Sequence, residues 1–333
     1  MKILVISIRS FGDCIVTLEL VKYLALDKNI QIDIFTKNEF KQFFTNDKNI
    51  NEIYTSIFPV GVNGKFSPIS LFALFKKSLK LKKQNYDIVL NNIGDFREQA
   101  IGFLIAKNAN ISIKLPKNHP FNNLIRRGLN FLVDRLINIP EKMINIYDMQ
   151  KYIAENILDK KIALNVDGHI DNKRTKFAIH PTASQECRRW DFDKWIKLID
   201  TLSAKDKVLV FCAPNEKKYI EDAFVKIKDK IEIVASNLEL FFKNLENVHT
   251  LICLDSFALH AAYYKNVENI IMLNGANNFE IWLPPNAKVV QGDFTCDHFP
   301  CYNKPKCLNQ DKKFICIKSI KVDDILCKIE KNG

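Results

Sequence analysis

One candidate for acid–base chemistry lies near the amino terminus, in the segment SIRSFGD at residues 7–13. Asp13 closes this segment directly before a helical pattern, where its carboxylate can accept a proton from an attacking hydroxyl. An aspartate at this position is also a common helix N-cap, so both roles are open. Gly12 can let a ligand approach the backbone closely. The segment lacks the glycine spacing of a dinucleotide fingerprint, so NAD binding is not supported.

A second segment, HPTASQECRRW at residues 180–190, carries two adjacent arginines. Arg188 and Arg189 suit a diphosphate, because planar guanidinium groups form charge-assisted hydrogen bonds with phosphate oxygens. Further hydroxyl contacts are offered by Thr182 and Ser184. The alternative is a solvated basic loop in which Trp190 packs on its own domain.

The third segment follows the apolar run LICL and reads DSFALH at residues 255–260. A helix that begins directly after a buried strand offers free backbone N–H groups to an anion. Asp255 can hold a ribose or sugar hydroxyl there, and His260 lies near the end of the first helical turn. Equally, Asp255 can be only an N-cap and His260 a packed core histidine.

Short apolar runs alternate with helical patterns along the chain, and this pattern predicts the elements that position the three segments. It occurs twice, on either side of a polar and charged stretch at about residues 159–176. Such alternation predicts parallel sheets with helices on both faces. We therefore expect an α/β protein of two Rossmann-like, doubly wound domains that face a cleft, with ligands at the carboxyl ends of the strands. The predicted parts are residues 1–165, residues 173–318 and a C-terminal helix at 319–333 that packs back on the N-terminal domain; helices should dominate residues 120–158.

Three stretches, taken in order, resemble glycosyltransferase family 9, the ADP-heptose:lipopolysaccharide heptosyltransferases. Residues 1–24 (MKILVISIRSFGDCIVTLELVKYL) are similar to the opening of that family. Residues 177–198 (FAIHPTASQECRRWDFDKWIKL) resemble its His-Pro-Gly-Ala-Ser segment followed by Lys-Arg-Trp. Residues 252–260 (ICLDSFALH) resemble its Asp-Ser/Thr-Gly-x-x-His element, and Gly275 falls where the family commonly has a glycine.

The resemblance implies a GT-B type of fold, with the acceptor bound by the N-terminal half and the nucleotide sugar by the C-terminal half. It also implies an inverting transfer that needs no metal or other cofactor, with Asp13 deprotonating the acceptor hydroxyl and Arg188 neutralising the leaving diphosphate. The implied donor-binding positions are Thr182, Ser184, Arg188, Arg189, Asp255, Ser256, His260 and Gly275. The acceptor-binding positions are Arg9, Ser10, Gly12, Lys117, Arg126 and Arg127.

The reaction that this resemblance implies moves heptose from ADP-heptose to the phosphorylated glycolipid core of lipopolysaccharide or lipooligosaccharide. Three positions depart from the family pattern: Thr182 and Phe257 replace glycines, and Arg188 replaces a lysine. They favour an alternative in which another nucleotide sugar serves an O-antigen, a capsule or another surface glycan. A degenerate transferase kept as a scaffold is a further alternative, which the intact Asp13 opposes.

The composition bears on partners and location. A net charge of +11 suits an anionic partner, although an AT-rich genome also makes lysine abundant. The basic, amphipathic stretch 114–138 predicts peripheral contact with the inner membrane, or else a helix packed on its own domain. No nucleic-acid-binding signature is found, so no nucleic-acid partner is expected. Without a spanning stretch or a signal peptide, we expect a cytoplasmic protein, if attached then at the cytoplasmic face of that membrane.

Nine cysteines without an export signal favour free thiols or a metal over disulfides. Four of them crowd a Pro- and Lys-rich stretch near the carboxyl end: Cys296, Cys301, Cys307 and Cys316. Their spacing departs from the paired ligands of zinc sites, so no metal is expected and these thiols are weak candidates.

Overall fold

The structure is a computed structural model of the 333-residue chain. It describes residues 1–58, 67–120, 129–163, 176–204, 206–302, 304–308 and 313–330. The chain forms two compact units, Met1–Asn165 and Val166–Gly333. No helix in the described ranges is both long enough and apolar enough to cross a bilayer.

The first unit is built on a sheet of parallel strands. The strands are β1 (Lys2–Ser7), β2 (Gln31–Lys37), β3 (Glu52–Ser56), β4 (Ile88–Asn91), β5 (Ala109–Lys114) and β6 (Arg135–Asn138). The helices are α1 (Phe11–Leu24), α2 (Lys41–Phe44), α3 (Pro68–Lys82), α4 (Phe96–Ile105) and α5 (Ile146–Leu158), with 3-10 turns at Asn38–Phe40 and Asn130–Leu132. The order across the sheet is β3-β2-β1-β4-β5-β6, and every neighbouring pair is parallel.

The second unit repeats this plan. Its strands are β7 (Lys176–His180), β8 (Val208–Cys212), β9 (Ile231–Ala235), β10 (Val248–Leu254), β11 (Asn269–Asn274) and β12 (Ala287–Gln291). Its helices are α6 (Phe192–Leu202), α7 (Lys217–Ala223), α8 (Leu238–Leu245), α9 (Phe257–Tyr264), α10 (Ile315–Lys318) and α11 (Val322–Glu330). Its 3-10 turns are Glu186–Arg188, Pro214–Glu216, Val225–Ile227 and Phe279–Ile281. The parallel order is β12-β11-β10-β7-β8-β9.

Both sheets have the same strand order when each is counted from its own first strand. In each, the first three strands run outward to one side, and the chain then crosses to the other side of the first strand. The first and fourth strands, β1 with β4 and β7 with β10, are therefore neighbours at the point where the order reverses. Open α/β sheets bind ligands at this switch point, outside the carboxyl ends of the strands.

The central strands are apolar runs because they are covered on both faces. All five residues of β8 (VLVFC) are buried, as are Ile3 to Ile6 of β1. Burial of such side chains from water is the main favourable contribution to folding. The two sheets therefore form the cores on which the polar loops at their carboxyl ends are held.

Three features differ from the sequence predictions, and the first is strand β12, where no strand was expected. Residues 129–145 contain a 3-10 turn and strand β6, whereas helices were expected to dominate 120–158. The short run RLIN pairs with β5 at the edge of the sheet. A strand of four residues is too short to show a clear hydrophobic periodicity in the sequence. Helix α11 was expected on the N-terminal domain, but it packs against α6, β11 and β12 of the second unit, where Ile325 joins the core.

Candidate functional site

Asp13 lies at the switch point of the first sheet, in the first turn of α1 directly after β1. The N-cap of α1 is Ser10, whose hydroxyl accepts a 3.3 Å hydrogen bond from the backbone N–H of Asp13. The same hydroxyl donates a 2.7 Å hydrogen bond to Asp13 Oδ2. Because Ser10 performs the capping, the buried carboxylate of Asp13 is not needed as a cap.

A second carboxylate approaches from the neighbouring strand. Asp95 follows β4 and caps α4 by accepting a 2.9 Å hydrogen bond from the backbone N–H of Arg97. The Nε of Arg9 lies 3.8 Å from Asp13 Oδ2 and 3.6 Å from Asp95 Oδ2, so one guanidinium stands beside both carboxylates. The side chain of Arg97 donates two further hydrogen bonds of 2.8 Å to the carboxylate of Asp95.

The charges around Asp95 determine its protonation. Burial acts to raise the pKa of Asp95, but the hydrogen bonds and charge of Arg97, with help from Arg9, outweigh it and lower the pKa. Asp95 is therefore held as an anion that fixes Arg9.

Glu98 adds a buried acid beneath the same loop. Its Oε1 accepts a 3.1 Å hydrogen bond from the backbone N–H of Ile8, which joins β1 to the Asp13 segment. Burial, reinforced by the negative charge of Asp95, raises the pKa of Glu98 to about 8. Its Oε2 has no hydrogen-bond partner among the described residues. Glu98 is thus a predominantly neutral acid at pH 7 that holds the loop by an uncharged oxygen.

The remaining acceptor candidates are less well placed. Gly12 is the second residue of α1 and is half-buried, and Lys117 is exposed after β5. Arg126 and Arg127 lie outside the described residues, together with the rest of 121–128 in the basic stretch at 114–138. The structure therefore brings together Arg9, Ser10 and Asp13, and places Lys117 only at the same end of the sheet.

The second sheet carries a comparable arrangement at its own switch point. Arg188 follows β7, and its Nη1 donates a 2.9 Å hydrogen bond to the backbone carbonyl of Asp255, which follows β10. The same nitrogen lies 3.7 Å from Asp255 Oδ2, and this oxygen also accepts a short hydrogen bond from the amide of Asn277. Asn277 is fixed in turn, because its backbone carbonyl accepts a 3.0 Å hydrogen bond from Asn274 at the end of β11.

Arg189 and the hydroxyl residues of the same loop differ in exposure. The Nε of Arg189 donates a 2.8 Å hydrogen bond to the carbonyl of Ala183, while the residue itself is exposed. Ser184 is also exposed, whereas Thr182 is buried and its hydroxyl donates a 3.0 Å hydrogen bond to Glu216. Trp190 packs edge-on against Trp195 in the core. The expectation that Trp190 packs on its own domain is therefore correct.

The third segment begins α9, with Ser256 as the N-cap residue. The hydroxyl of Ser256 is buried and has no hydrogen-bond partner within the described residues. His260 is buried one turn into α9, with its ring 6.5 Å from that of Trp282. Phe257 packs against Phe241 and Phe242 of α8, with ring centroids 6.0 and 6.1 Å away. The replacement for the family glycine is therefore accommodated by an aromatic cluster on the helix side.

Gly275 follows β11 under the Arg188 loop. A Cβ built at this position would lie 2.9 Å from the carbonyl oxygen of Cys187 and 3.0 Å from Cβ of Ile317. Glycine is required here by this close approach. It therefore supports the loop that carries Arg188 from below, which is a packing role.

The C-terminal cysteines gather around one small cavity. It is lined by Cys187, Cys296, Cys301, Cys307 and Cys316, together with His298 and neighbouring apolar residues. Burial raises the pKa of the Cys301 thiol, and it raises that of Cys316 to about 11. Within the described ranges, no group of three or more His, Cys, Asp or Glu side chains is arranged to hold a metal ion.

Four contributors to these sites did not emerge from the sequence alone: Asp95, Arg97, Glu98 and Asn277. Asp95, Arg97 and Glu98 belong to NNIGDFREQ after β4, and Asn277 to LNGANN after β11. The sequence signal that could have found them is a polar residue directly after a buried strand, because ligands bind at the carboxyl ends of such strands. Asp13 and Asp255 were found by this signal. The residues after β4 were missed because this strand is short and its loop contains neither an arginine pair nor a histidine.

Solved structures resemble the whole chain. The E. coli heptosyltransferase WaaC with ADP aligns with a TM-score of 0.77 at 14% identity, with 100% of each chain covered. The E. coli ADP-heptose lps heptosyltransferase II aligns with a TM-score of 0.69 at 13% identity, again over 100% of both chains. The glycosyl transferase family 9 structure from Veillonella parvula DSM 2008 gives 0.73 at 15% identity, over 99% of this chain and 96% of that one. These likenesses define an α/β fold of the GT-B class.

The family follows from the sequence itself. The model of glycosyltransferase family 9 (heptosyltransferase) matches residues 73–310, more than half of the chain. The chain therefore belongs to this family and is a glycosyltransferase. The resemblance found in the three sequence segments is confirmed, as is the α/β fold. None of the curated proteins compared with the sequence matches it.

Proposed function

We propose that this chain transfers heptose from ADP-heptose to the phosphorylated core of a lipopolysaccharide or lipooligosaccharide, with inversion and without a metal or other cofactor. The observation that carries the proposal is the buried Asp13 carboxylate at the switch point of the first sheet, hydrogen-bonded by Ser10 and flanked by Arg9. Membership of the heptosyltransferase family supports the sugar, and the fold shared with WaaC bound to ADP-2-deoxy-2-fluoro heptose supports the donor.

In the proposed reaction, Asp13 takes the proton from a hydroxyl group of the acceptor. The oxygen of that hydroxyl attacks the anomeric carbon of the donor sugar at the same time. The bond from that carbon to ADP breaks on the opposite side, so a single displacement inverts the configuration. Ser10 and Arg9 both approach Oδ2 of Asp13, and we assign the proton to Oδ1. Base assistance of this kind is typically worth about 10²–10⁴ in rate.

The donor diphosphate would lie at Arg188. A guanidinium has five N–H donors, and the hydrogen bond to Asp255 uses one of them. The Nε of Arg188 is buried without a partner among the described residues, which leaves it available to a phosphate oxygen. Positive charge held there would stabilise the negative charge that develops on departing ADP. Exposed Arg189 and Ser184 would add contacts, while Asp255, Ser256 and His260 would hold the sugar and phosphates.

The acceptor would be bound by the first unit. Arg9 and exposed Lys117 are candidates for its phosphate groups, and we keep Arg126 and Arg127 as further candidates. A phosphorylated glycolipid lies in a membrane, so the proposed place of action is the cytoplasmic face of the inner membrane.

A second candidate is transfer of a different nucleotide-linked sugar to an O-antigen, a capsule or another surface glycan. The observation that favours it is Thr182, which replaces a family glycine and is bound to Glu216 beside the donor loop. Compared with a glycine, the Thr182 hydroxyl and the Glu216 carboxylate change which hydrogen bonds the donor can form at this position.

The test is a panel of ADP-, UDP-, GDP- and CMP-sugars, scored first by thermal stabilisation and then by release of the nucleotide. A ligand present at about 100 times its dissociation constant adds roughly 2.7 kcal/mol to the free energy of unfolding. Stabilisation and turnover with ADP-heptose alone, unchanged by EDTA, would support the proposal. Preference for another nucleotide sugar would support the second candidate, and binding of none would favour the scaffold alternative.

A further inference from the structure

Helix α3 carries an uncovered apolar surface. Its buried side is formed by Leu74, Ser78 and Leu81, and the two leucines join the core under β1. Five other large apolar residues of this helix point to solvent: Ile69, Leu71, Phe72, Phe75 and Leu79. Ile69 is 83% exposed and Phe72 68%, and the other three are each more than two-fifths exposed. An exposed cluster of this kind marks a surface for an apolar partner.

Lysines border this surface. Leu71, Phe75 and Leu79 follow at intervals of four and line one side of α3. Lys76 and Lys80 follow at the same interval, and both are exposed on the adjoining side, as is Lys83 at the end of the helix. The sequence of α3 contains no acidic residue. A helix that combines Phe and Leu with a flanking row of lysines is the arrangement found where helices lie in the interface of an anionic bilayer.

We infer that α3 is the surface by which this protein docks on an anionic lipid membrane, with Leu71, Phe72, Phe75 and Leu79 entering the apolar layer and Lys76 and Lys80 contacting lipid phosphates. The lysines decide between a bilayer and a second copy of the chain. A two-fold contact would bring the same patch against itself and oppose like charges. Anionic headgroups complement those charges instead. Docking would bring the enzyme to its proposed lipid-bound acceptor. The inference rests on the proposed function to that extent.

The experiment is flotation of the full-length protein with phosphatidylcholine vesicles, with and without phosphatidylglycerol, in the absence of any sugar nucleotide. We expect binding only to the anionic vesicles. Replacing both aromatic residues, Phe72→Ser with Phe75→Ser, should lower the partition coefficient about tenfold or more. Replacing Lys76→Gln with Lys80→Gln should lower it by about tenfold.

Matched controls come from the second unit, where exposed residues of the same kinds are available. They are Val225→Ser with Leu240→Ser for the apolar change, and Lys226→Gln with Lys228→Gln for the same loss of charge. These pairs should bind vesicles like the wild type. Thermal melting of every variant checks that the fold is retained.

Three results would overturn the inference: equal binding to both vesicle types, equal losses in the control pairs, or unchanged binding of the α3 variants. Self-association without vesicles that Phe72→Ser with Phe75→Ser abolishes would assign the patch to an interface between copies, and would also overturn it. Transfer to a water-soluble acceptor should survive in the α3 variants. Failure of docking is thereby distinguishable from failure of the proposed function.

Discussion

Arg188 reaches across the switch point of the second sheet to Asp255, which lies 67 residues further along the chain, and donates a 2.9 Å hydrogen bond to its carbonyl. The first sheet has a matching pair, since Arg9 Nε lies 3.6 Å from Asp95 Oδ2. In both sheets, an arginine after the first strand is held by an aspartate after the fourth. Each guanidinium is thus positioned before any ligand arrives, which reduces the entropy lost on binding.

Arg188→Ala should lower kcat with the preferred nucleotide sugar by about 10²–10³, since it removes a donor from the departing diphosphate. Arg188→Lys should recover part of this loss, because it keeps the charge but not the planar fork. Steady-state kinetics would measure both variants against Arg135→Ala, an exposed arginine of β6, as the control. Equal activity of Arg188→Ala and wild type would remove Arg188 from the donor site.

Asp13→Asn should lower kcat by about 10²–10⁴ while leaving nucleotide-sugar binding intact, because it deletes the proton acceptor and keeps the shape. The asparagine carbonyl can still accept the hydrogen bond from Ser10, so the start of α1 should be retained. Asp193→Asn is the matched control, because Asp193 lies in the first turn of α6 and is exposed. Near-normal turnover of Asp13→Asn would show that another group takes the proton.

Glu98→Gln should change how stability depends on pH. The carboxyl has a pKa near 4.5 when unfolded and about 8 when folded, because burial disfavours its charge. Between these values the folded state binds a proton that the unfolded state lacks, so stability falls as pH rises. Across the window the wild type should lose about 3–5 kcal/mol from this group, and the glutamine variant should not.

Urea unfolding of both proteins at about pH 5 and about pH 9 measures this difference, because the window lies between. Exposed Glu141→Gln serves as the control and should follow the wild type. Parallel pH profiles for wild type and Glu98→Gln would contradict a neutral Glu98.

Gly275→Ala should destabilise the second unit by about 1–3 kcal/mol, because the new methyl group meets the carbonyl of Cys187 at 2.9 Å. Moving Cys187 also moves Arg188, so the affinity for the nucleotide should fall together with the melting temperature. Gln185→Ala, a change at an exposed residue of the same loop that has no assigned donor contact, is the control. An unchanged melting temperature for Gly275→Ala would show that the loop adapts freely.

Much of the fold was predictable because parallel strands buried on both faces leave nearly continuous apolar runs. The runs ILVISI and KVLVFC have this pattern, and they correspond to β1 and β8, which are interior strands of their sheets. Strand β6 and strand β12 were missed. Each is an edge strand with one neighbour, and RLIN and AKVVQ are only partly buried, so their sequences carry a weaker pattern.

The site was predictable only where charge or motif drew attention. Asp13 and Arg188 stand in segments that resemble a family, whereas Asp95 and Glu98 gain their meaning from strand order. Neither residue is near Asp13 in the sequence, and only the pairing of β1 with β4 brings their loops together. The same holds for Asn277, whose contact with Asp255 depends on the pairing of β10 with β11.

Trp190, directly after the two arginines, donates its indole N–H to the carbonyl of Ile320, which lies 130 residues later. Gly275 and Ile317 also support this loop from below. During synthesis, the first unit can therefore complete Asp13 and its partners well before the ribosome has made the residues that hold Arg188. The nascent chain should form the surroundings of Asp13 early and the loop that carries Arg188 among the last steps of folding.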